Sequence, residues 1–381
     1  MLFRSIFDDA ARVNASDIHF EPQDHALVVR FRIDGVLHVQ VEADPLITSA
    51  LVVRLKLLAQ LDIAERRLPQ DGRISIKSGE SRFDVRMSTM PTQFGESVVL
   101  RLLRQGGNRL KLAELLPPWA FEPFAKAIRA PHGIVLVTGP TGSGKTTTLY
   151  AALESLNQPS VKIMTAEDPV EYRLRGINQV QINDKVDLTF ARVLRSLLRQ
   201  DPDIMLVGEI RDGETADIAV RAAMTGHTVL STLHTNDAPS TPVRLMNMGV
   251  PGYMIASTLR AVMAQRLLRV SCTACVEPYQ PAADEMAWLS HHVDEATVAQ
   301  GRYLRGRGCS RCGGLGFQGR RGVYEVLTIS DELTAALQRG QAHEVTEMAY
   351  RQVGRRTLAY SAAELAMQGR TTVAEAMSIA E

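Results

Sequence analysis

A chain of 381 residues, 45% hydrophobic and 22% charged, is long enough for two or three domains and has the composition of an ordinary folded protein. Lys and Arg number 43 against 42 Asp and Glu, so the formal charge is +1, which excludes a global basic field that would draw the protein to nucleic acid or anionic lipid but leaves a local basic channel open. The acids in MLFRSIFDDAARVN rule out a signal segment there, no apolar run approaches the roughly 18 residues of a spanning helix, and four cysteines are too few for a disulfide scaffold, so a cytoplasmic protein with a metal site is expected.

From Ser16 to about Leu103, strand-like runs (DIHFE, ALVVRFRIDGVL, RISI, RFDVRM, SVVLRLL) alternate with one helix-like segment near PLITSALVVRLKLLAQLD. Residues 1–105 are therefore expected to form a small α/β domain. Gly-Gly and Pro-Pro in RQGGNRLKLAELLPPWAF break both periodicities, which predicts an interdomain linker over 106–118. Beyond it, GIVLVTG, VKIMTAED, DIMLVGEI and HTVLSTL are nearly continuous apolar runs, the pattern of strands covered on both faces. Helical segments such as TTTLYAALESLN and TADIAVRAAMTG lie between them, so residues 119–381 are expected to hold a doubly wound α/β nucleotide-binding core. A cysteine-containing insertion is expected over 271–320, followed by C-terminal helices over 325–381.

The segment GPTGSGKT, Gly139 to Thr146, fits the P-loop pattern and lies between a predicted strand and a predicted helix. Gly139, Pro140, Thr141, Gly142, Ser143, Gly144, Lys145, Thr146 and Thr147 form the candidate nucleotide site. Glycines let backbone N–H groups close on phosphates, Lys145 reaches the β and γ oxygens, and Thr146 offers its hydroxyl to Mg²⁺. Two acidic clusters end predicted strands, where an open α/β sheet places its ligands. DIMLVGEIRD runs into Glu209, the Walker B layout, and TAEDPVEY sets Glu167, Asp168 and Glu171 on a turn enforced by Pro169. An acid-rich turn is often only solvated, yet beside a nucleotide one of its carboxylates can orient or deprotonate the attacking water.

The ordered set GPTGSGKTTTLY, TAEDPVEY, LRQDPDIMLVGEIRD and GHTVLSTLHTNDA resembles the secretion ATPase superfamily of type II secretion and type IV pilus assembly. ASDIHFEP, RLPQDGRISI and FDVRMSTMP upstream, with AQRLLR and the cysteine pairs downstream, extend the likeness over nearly the whole chain. MSTMPTQFGESVVLRLL and GVPGYMIASTLRAVMAQRLLR look most like the MSHA-pilus extension ATPases, with type II secretion ATPases, which power pseudopilus assembly and protein export, and pilus extension motors close behind. The resemblance implies a RecA-like core acting as a homohexameric, ATP-hydrolysing motor at the inner face of the cytoplasmic membrane, where an inner-membrane platform protein is its partner. It implies Lys145 and Thr146 as the P-loop pair, Glu171 and Glu209 as candidates for water positioning and Mg²⁺-linked catalysis, and Arg73 and Arg86 as arginines that approach the nucleotide. Arg195 and Arg199, four apart on a helix, are equally well read as a solvated basic face.

SCTAC and GCSRC carry Cys272, Cys275, Cys309 and Cys312 as two C-x-x-C pairs that can supply four thiolates to Zn²⁺. The intervening stretch, residues 276–308, exceeds the usual zinc-ribbon range, but the secretion ATPases have a comparable loop. Retraction motors generally lack these pairs, so the cysteines favour extension or secretion. Full-length relatives often carry a further N-terminal domain, which in the MSHA group resembles a cyclic-di-GMP module. This chain begins almost at ASDIHFEP, so that domain is expected to be absent and that regulation is not carried over. His227 and His234, at the two ends of HTVLSTL, match the family's His box, which implies that one senses the γ-phosphate or Mg²⁺ shell and the other couples that state to its neighbours. Their odd separation along a strand sends them to opposite faces, which argues against one shared metal. A nucleic-acid translocase is the rival from another class, and the near-neutral charge and the lack of an aromatic-plus-basic stretch argue against it.

Overall fold

A computed structural model describes residues 2–79, 81–105 and 110–379. The chain divides into two compact units, Met1–Arg109 and Leu110–Glu381. Gly106 to Arg109, part of the expected linker, lie outside the described residues.

The first unit runs α1 (Leu2–Arg12), β1 (Asp17–Pro22), β2 (Leu27–Ile33), β3 (Val36–Ala43), α2 (Thr48–Leu58), β4 (Gln70–Ser78), β5 (Ser81–Thr92) and β6 (Gly95–Gln105). Its six strands form an antiparallel sheet in the order β3-β2-β1-β6-β5-β4. The β2–β3 hairpin turns on Asp34 (φ 48°) and Gly35 (φ 91°), two left-handed residues of the kind a two-residue turn needs to match the strand twist. Period-two alternation sends Ile18, Phe20, Val29, Phe31, Val85, Met87 and Leu100 into the core with Ile6, Phe7 and Ala10 of α1 and Leu51, Val52 and Leu55 of α2. Helix α1 was not among the expected elements; its signal is the i, i+1, i+4 spacing of Ile6, Phe7 and Ala10, and Phe7 meets Phe83 edge-on at 5.4 Å.

The second unit begins with α3 (Leu112–Leu115) and α4 (Pro118–Ile128). Residues 112–118 of the expected linker are thus partly helical, and Leu112 and Leu116 are buried in this unit's core, where their apolar side chains pack with Phe124 and Ile128. Next come β7 (Gly133–Thr138), α5 (Lys145–Leu156), β8 (Ile163–Glu167), β9 (Asn178–Gln181), α6 (Phe190–Leu197), β10 (Ile204–Val207), α7 (Gly213–Met224) and β11 (Thr228–Leu233). The chain continues through α8 (Thr241–Asn247), α9 (Gly252–Thr258) and β12 (Leu259–Ser271). The cysteine insertion holds β13 (Val276–Pro278), α10 (Ala283–His292), α11 (Glu295–Ala299) and β14 (Leu304–Gly306). After it come β15 (Phe317–Thr328), α12 (Asp331–Arg339), α13 (Ala342–Val353), α14 (Leu358–Met367) and α15 (Val373–Met377). Residues 325–328, expected to open the C-terminal helices, are instead the end of β15, because Glu325 to Thr328 pair with Ala264 to Ala261 of β12.

The seven-stranded sheet has the order β15-β12-β7-β11-β10-β8-β9, parallel except for β15. Strands β7, β8, β10 and β11 are buried on both faces, as the continuous apolar runs predict, whereas β9 at one edge is exposed or half-buried. Ile134 and Leu136 of β7 join the cluster on one side with α7 and α9, and Val135 and Val137 join the other with α4 and α5. No helix among the described residues is long and apolar enough to cross a membrane.

Beneath the first unit's sheet lies a buried ion pair: Lys56, 1% exposed, sets its Nζ 2.5 Å from Glu96 Oε1 and donates to the Glu65 carbonyl at 2.7 Å. Removing one partner strands the other charge in the interior. Lys56→Met is expected to destabilise the protein by about 3–5 kcal/mol, and Lys56→Met/Glu96→Leu to recover most of it. The measurement is the urea midpoint of the unfolding transition of each variant.

Candidate functional site

Strand β7 ends at Thr138 and helix α5 begins at Lys145, so the P-loop spans the carboxyl edge of a parallel sheet. Gly139 (φ 145°) has no room for a side chain: a Cβ there would stand 2.5 Å from the Gln265 carbonyl oxygen and 3.0 Å from Arg266 Nη1. Gly144 (φ 88°) is capped by no side chain, and a Cβ there would stand 2.7 Å from Gln265 Nε2. Gln265, 2% exposed, also accepts from Thr148 Oγ1 at 2.8 Å, so β12 buttresses both ends of the loop.

The donor set fits a polyphosphate. The first N–H groups of α5 have no intrahelical partner, and they carry the positive end of the helix dipole. Ser143 is 4% exposed, and its Oγ has no hydrogen-bond partner among the described residues. Lys145 donates from Nζ to the Gly139 carbonyl at 2.7 Å and the Pro140 carbonyl at 3.0 Å. Burial pulls its ammonium down to about 8, against the attraction of Glu209 and together with repulsion from Arg266. Thr146 lies exposed in the first turn of α5.

Glu209 follows β10 by two residues and meets three groups. His234 Nε2 lies 3.2 Å from its Oε2, Arg211 donates to its Oε1, and Lys145 senses its charge. Burial would raise the Glu209 carboxyl, but the bonds and charges of Arg211 and His234 outweigh it and hold the carboxyl below its ordinary value. Arg211 also reaches Asp168 Oδ2 at 3.7 Å and so joins the two acidic clusters. Sequence reading passed over this arginine, although it follows Glu209 by two residues.

The three acids of TAEDPVEY do not share one solvated turn. Glu167 is the last residue of β8 and 4% exposed, and its carboxylate accepts from Tyr150 Oη, Thr165 Oγ1 and, at 3.1 Å, Gln179 Nε2. Burial, then the Glu167 charge, raise the Tyr150 phenol far above its ordinary value. Tyr150 Oη in turn accepts from the Glu171 backbone N–H at 3.3 Å. The network therefore anchors the Glu171 backbone to α5. Neither Glu167 nor Tyr150 was expected to do this; the visible signal was that Glu167 ends an apolar strand.

The two histidines occupy opposite ends of β11. Six residues of strand separate them by about 20 Å. His234 is at the carboxyl edge beside Glu209. His227 is at the amino edge, where its Nδ1 lies 3.0 Å from the Ala222 carbonyl and its own carbonyl accepts from Gly133 N–H at 3.1 Å. The structure therefore does not bring His227 to the phosphate end; its ring closes the last turn of α7. Arg195, exposed on α6, pairs with Glu214, whereas Arg199 lies past the end of α6 in an exposed turn and donates to the Arg195 carbonyl at 2.8 Å, so the two arginines do not share the expected helical face.

In the first unit, Arg73 and Arg86 are directly opposed on β4 and β5, and Arg86 is opposed by Arg101 on β6. Arg101 continues the row to Asp17, 4% exposed, at 2.9 Å. Arg101 was not among the expected site residues; it becomes visible only once strand register is known.

Cys272, Cys275 and Cys312 are buried and Cys309 is half-buried, and the four sulfurs lie within 4.8 Å of one another. Three of the separations are 4.0, 3.9 and 3.8 Å. A tetrahedron with metal–sulfur bonds of about 2.3 Å has edges of about 3.8 Å, so the donor set fits a tetrahedral thiolate site. Backbone N–H groups of Cys309 and Gly316 each donate to Cys312 Sγ at 3.2 Å, as a thiolate requires.

Residues 1–378 match the model of the family described as type II/IV secretion system protein. The chain is 48% identical to type II secretion system protein E of Pseudomonas aeruginosa over 386 residues, covering 99% of this chain and 74% of that protein. It is 48% identical over 379 residues to the type IV pilus assembly ATPase PilB of Myxococcus xanthus, covering 98% and 66%. In fold it resembles the Legionella pneumophila ATPase DotB, with a TM-score of 0.74, 22% identity and coverage of 100% and 95%.

Lys145 is charged below its pKa and neutral above it, and only the charged form attracts phosphate. Affinity for ATP is therefore expected to fall as pH rises through about 8. Calorimetric titration across that range checks it, and a flat profile would contradict the assignment.

Proposed function

The chain belongs to the type II/IV secretion system protein family, and from that premise we propose that it is an ATP-hydrolysing motor, with type IV, MSHA-like pilus extension as its task. The observation that carries the reading is the meeting of Lys145, Glu209, Arg211, Asp168 and His234 at one edge of the parallel sheet. A P-loop supplies phosphate binding there, and a carboxylate held ionised beside it supplies the group that organises Mg²⁺ and water.

In this reading the backbone of Gly139 to Thr147 and Lys145 hold the ATP phosphates, and Thr146 offers its hydroxyl to Mg²⁺. Glu209 and Glu171 organise the metal shell and the attacking water. His234, bonded to Glu209, reports whether the γ-phosphate is present. Arg73 and Arg86 supply positive charge to the phosphoryl group in flight. A homohexamer, a cytoplasmic position and an inner-membrane platform protein as the partner that converts shape change into subunit addition complete the proposal. The four thiolates hold Zn²⁺, which closes the insertion on itself and leaves no position for substrate.

A second reading, the ATPase of a type II secretion system, is supported by the 48% identity to type II secretion protein E, which equals the identity to the pilus ATPase PilB. Deleting the gene in its own host separates the two. Loss of surface pili with protein export intact is the expected outcome, and export lost with pili intact would replace the first reading by the second.

Two further outcomes follow from the assigned residues. Arg73→Ala/Arg86→Ala is expected to cut kcat by about 10³-fold or more if those guanidiniums reach the transferring phosphoryl group. Steady-state ATPase assay checks it, and full activity would remove both residues from the site. Elemental analysis of protein purified without chelator is expected to find one zinc per chain, lost in Cys309→Ser/Cys312→Ser, with a lower melting temperature.

A further inference from the structure

Strand β11 delivers His234 to the carboxyl edge, and the chain then runs through Thr235, Asn236, Asp237 and Ala238 before α8. Each of these four residues is held by a different element. The Thr235 N–H donates to Thr138 Oγ1 at 2.8 Å, which ties it to the last residue before the P-loop. The Asn236 carbonyl accepts from Arg266 Nη2 on β12 at 2.8 Å. Asp237 Oδ2 accepts from Tyr350 Oη on α13 at 2.6 Å. The Ala238 N–H donates to Glu325 Oε1 on β15 at 2.8 Å.

Glu325 stands apart from the other three. It is a carboxylate 4% exposed in the core of the fold, with both oxygens taken by main-chain N–H groups from distant parts of the chain. Its Oε2 accepts from Leu358, the first residue of α14, at 3.2 Å. Burying a carboxylate is costly, and burial, with the nearby Asp237 charge, raises the Glu325 carboxyl above its ordinary value; the two backbone donors, one at the amino end of a helix, and the Arg266 guanidinium meet only part of that cost. An apolar residue would fill the same volume at less expense but would leave both N–H groups unpaired. The site reading leaves this buried acid without a task.

We propose that Glu325 is a positioning residue for ATP hydrolysis: by pinning Ala238 it fixes the segment Thr235–Ala238, and through it the placement of His234 against Glu209. The same carboxylate anchors the start of α14, so the catalytic edge and the C-terminal helices share one attachment point. The inference rests on the reading that His234 and Glu209 serve hydrolysis, and it assigns Glu325 no contact with nucleotide.

Glu325→Gln is the direct test, because an amide keeps the size of the side chain but offers only one oxygen to two N–H donors. In steady-state ATPase assays of the full chain, E325Q is expected to lower kcat about tenfold or more while KM for ATP stays within about twofold. Tyr350→Phe, at a half-exposed position that tolerates the change, is expected to lower kcat in the same direction by less. His234→Ala/Glu325→Gln is expected to be no slower than His234→Ala alone, since Glu325 acts through His234. Wild-type kcat in E325Q, or losses that multiply in the double variant, would overturn the inference. If E325Q does not fold, Y350F decides in its place, and wild-type kcat there overturns the inference as well. Full activity in His234→Ala would instead overturn the site reading beneath it, an outcome distinguishable because it needs no change at Glu325.

Discussion

The parallel pairing of β7 with β11 on one side and β12 on the other is the constraint on which the candidate site depends. Parallel strands send their carboxyl ends to one edge, so the P-loop after β7, Glu209 after β10, Glu167 at the end of β8 and His234 after β11 arrive together although residues 139 to 234 separate them in the chain. β12 adds support from the other side: Gln265 fills the space beneath Gly139 and Gly144, and Arg266 reaches the loop after His234. A side chain at either glycine would push the loop off this support.

Electrostatics at that edge follow from the same geometry. Lys145 and Glu209 are both withdrawn from water, which weakens the charged state of each, yet Glu209 stays ionised because Arg211 and His234 sit against it. Arg211 then links Glu209 to Asp168, so two acidic segments that would repel one another are held at a common cation. A second buried carboxylate, Glu167, is satisfied without a cation by three side-chain donors, and it fixes the Glu171 backbone rather than facing solvent. Neighbouring acids of one motif thus take different tasks because one ends a strand and the next two follow it.

The cysteine insertion shows a similar division between spacing and placement. Two C-x-x-C pairs on tight turns are enough to propose a four-thiolate site, and the sulfurs do lie at tetrahedral distances. That the insertion would carry its own two-stranded sheet and two helices between the pairs was not expected, because short strands such as Val276–Pro278 carry too few residues for a period to register.

The chain's local chemistry was legible in one dimension: the P-loop between a strand and a helix, the apolar strands of a doubly wound sheet, the Walker B glutamate and the cysteine pairs all depend on residues close in sequence. Helix α1 and the buried ends of the supposed linker were missed because their few apolar residues gain meaning only from the sheet or helices they pack against. Tertiary structure alone decided that His227 closes a helix end while His234 meets Glu209. It alone aligned Arg73, Arg86 and Arg101 in one row, and it alone set Glu325 between Ala238 and Leu358. The physical reason is common to these cases: a motif specifies which groups a residue offers, whereas burial, strand register and the direction of a strand's end determine which partner those groups can reach.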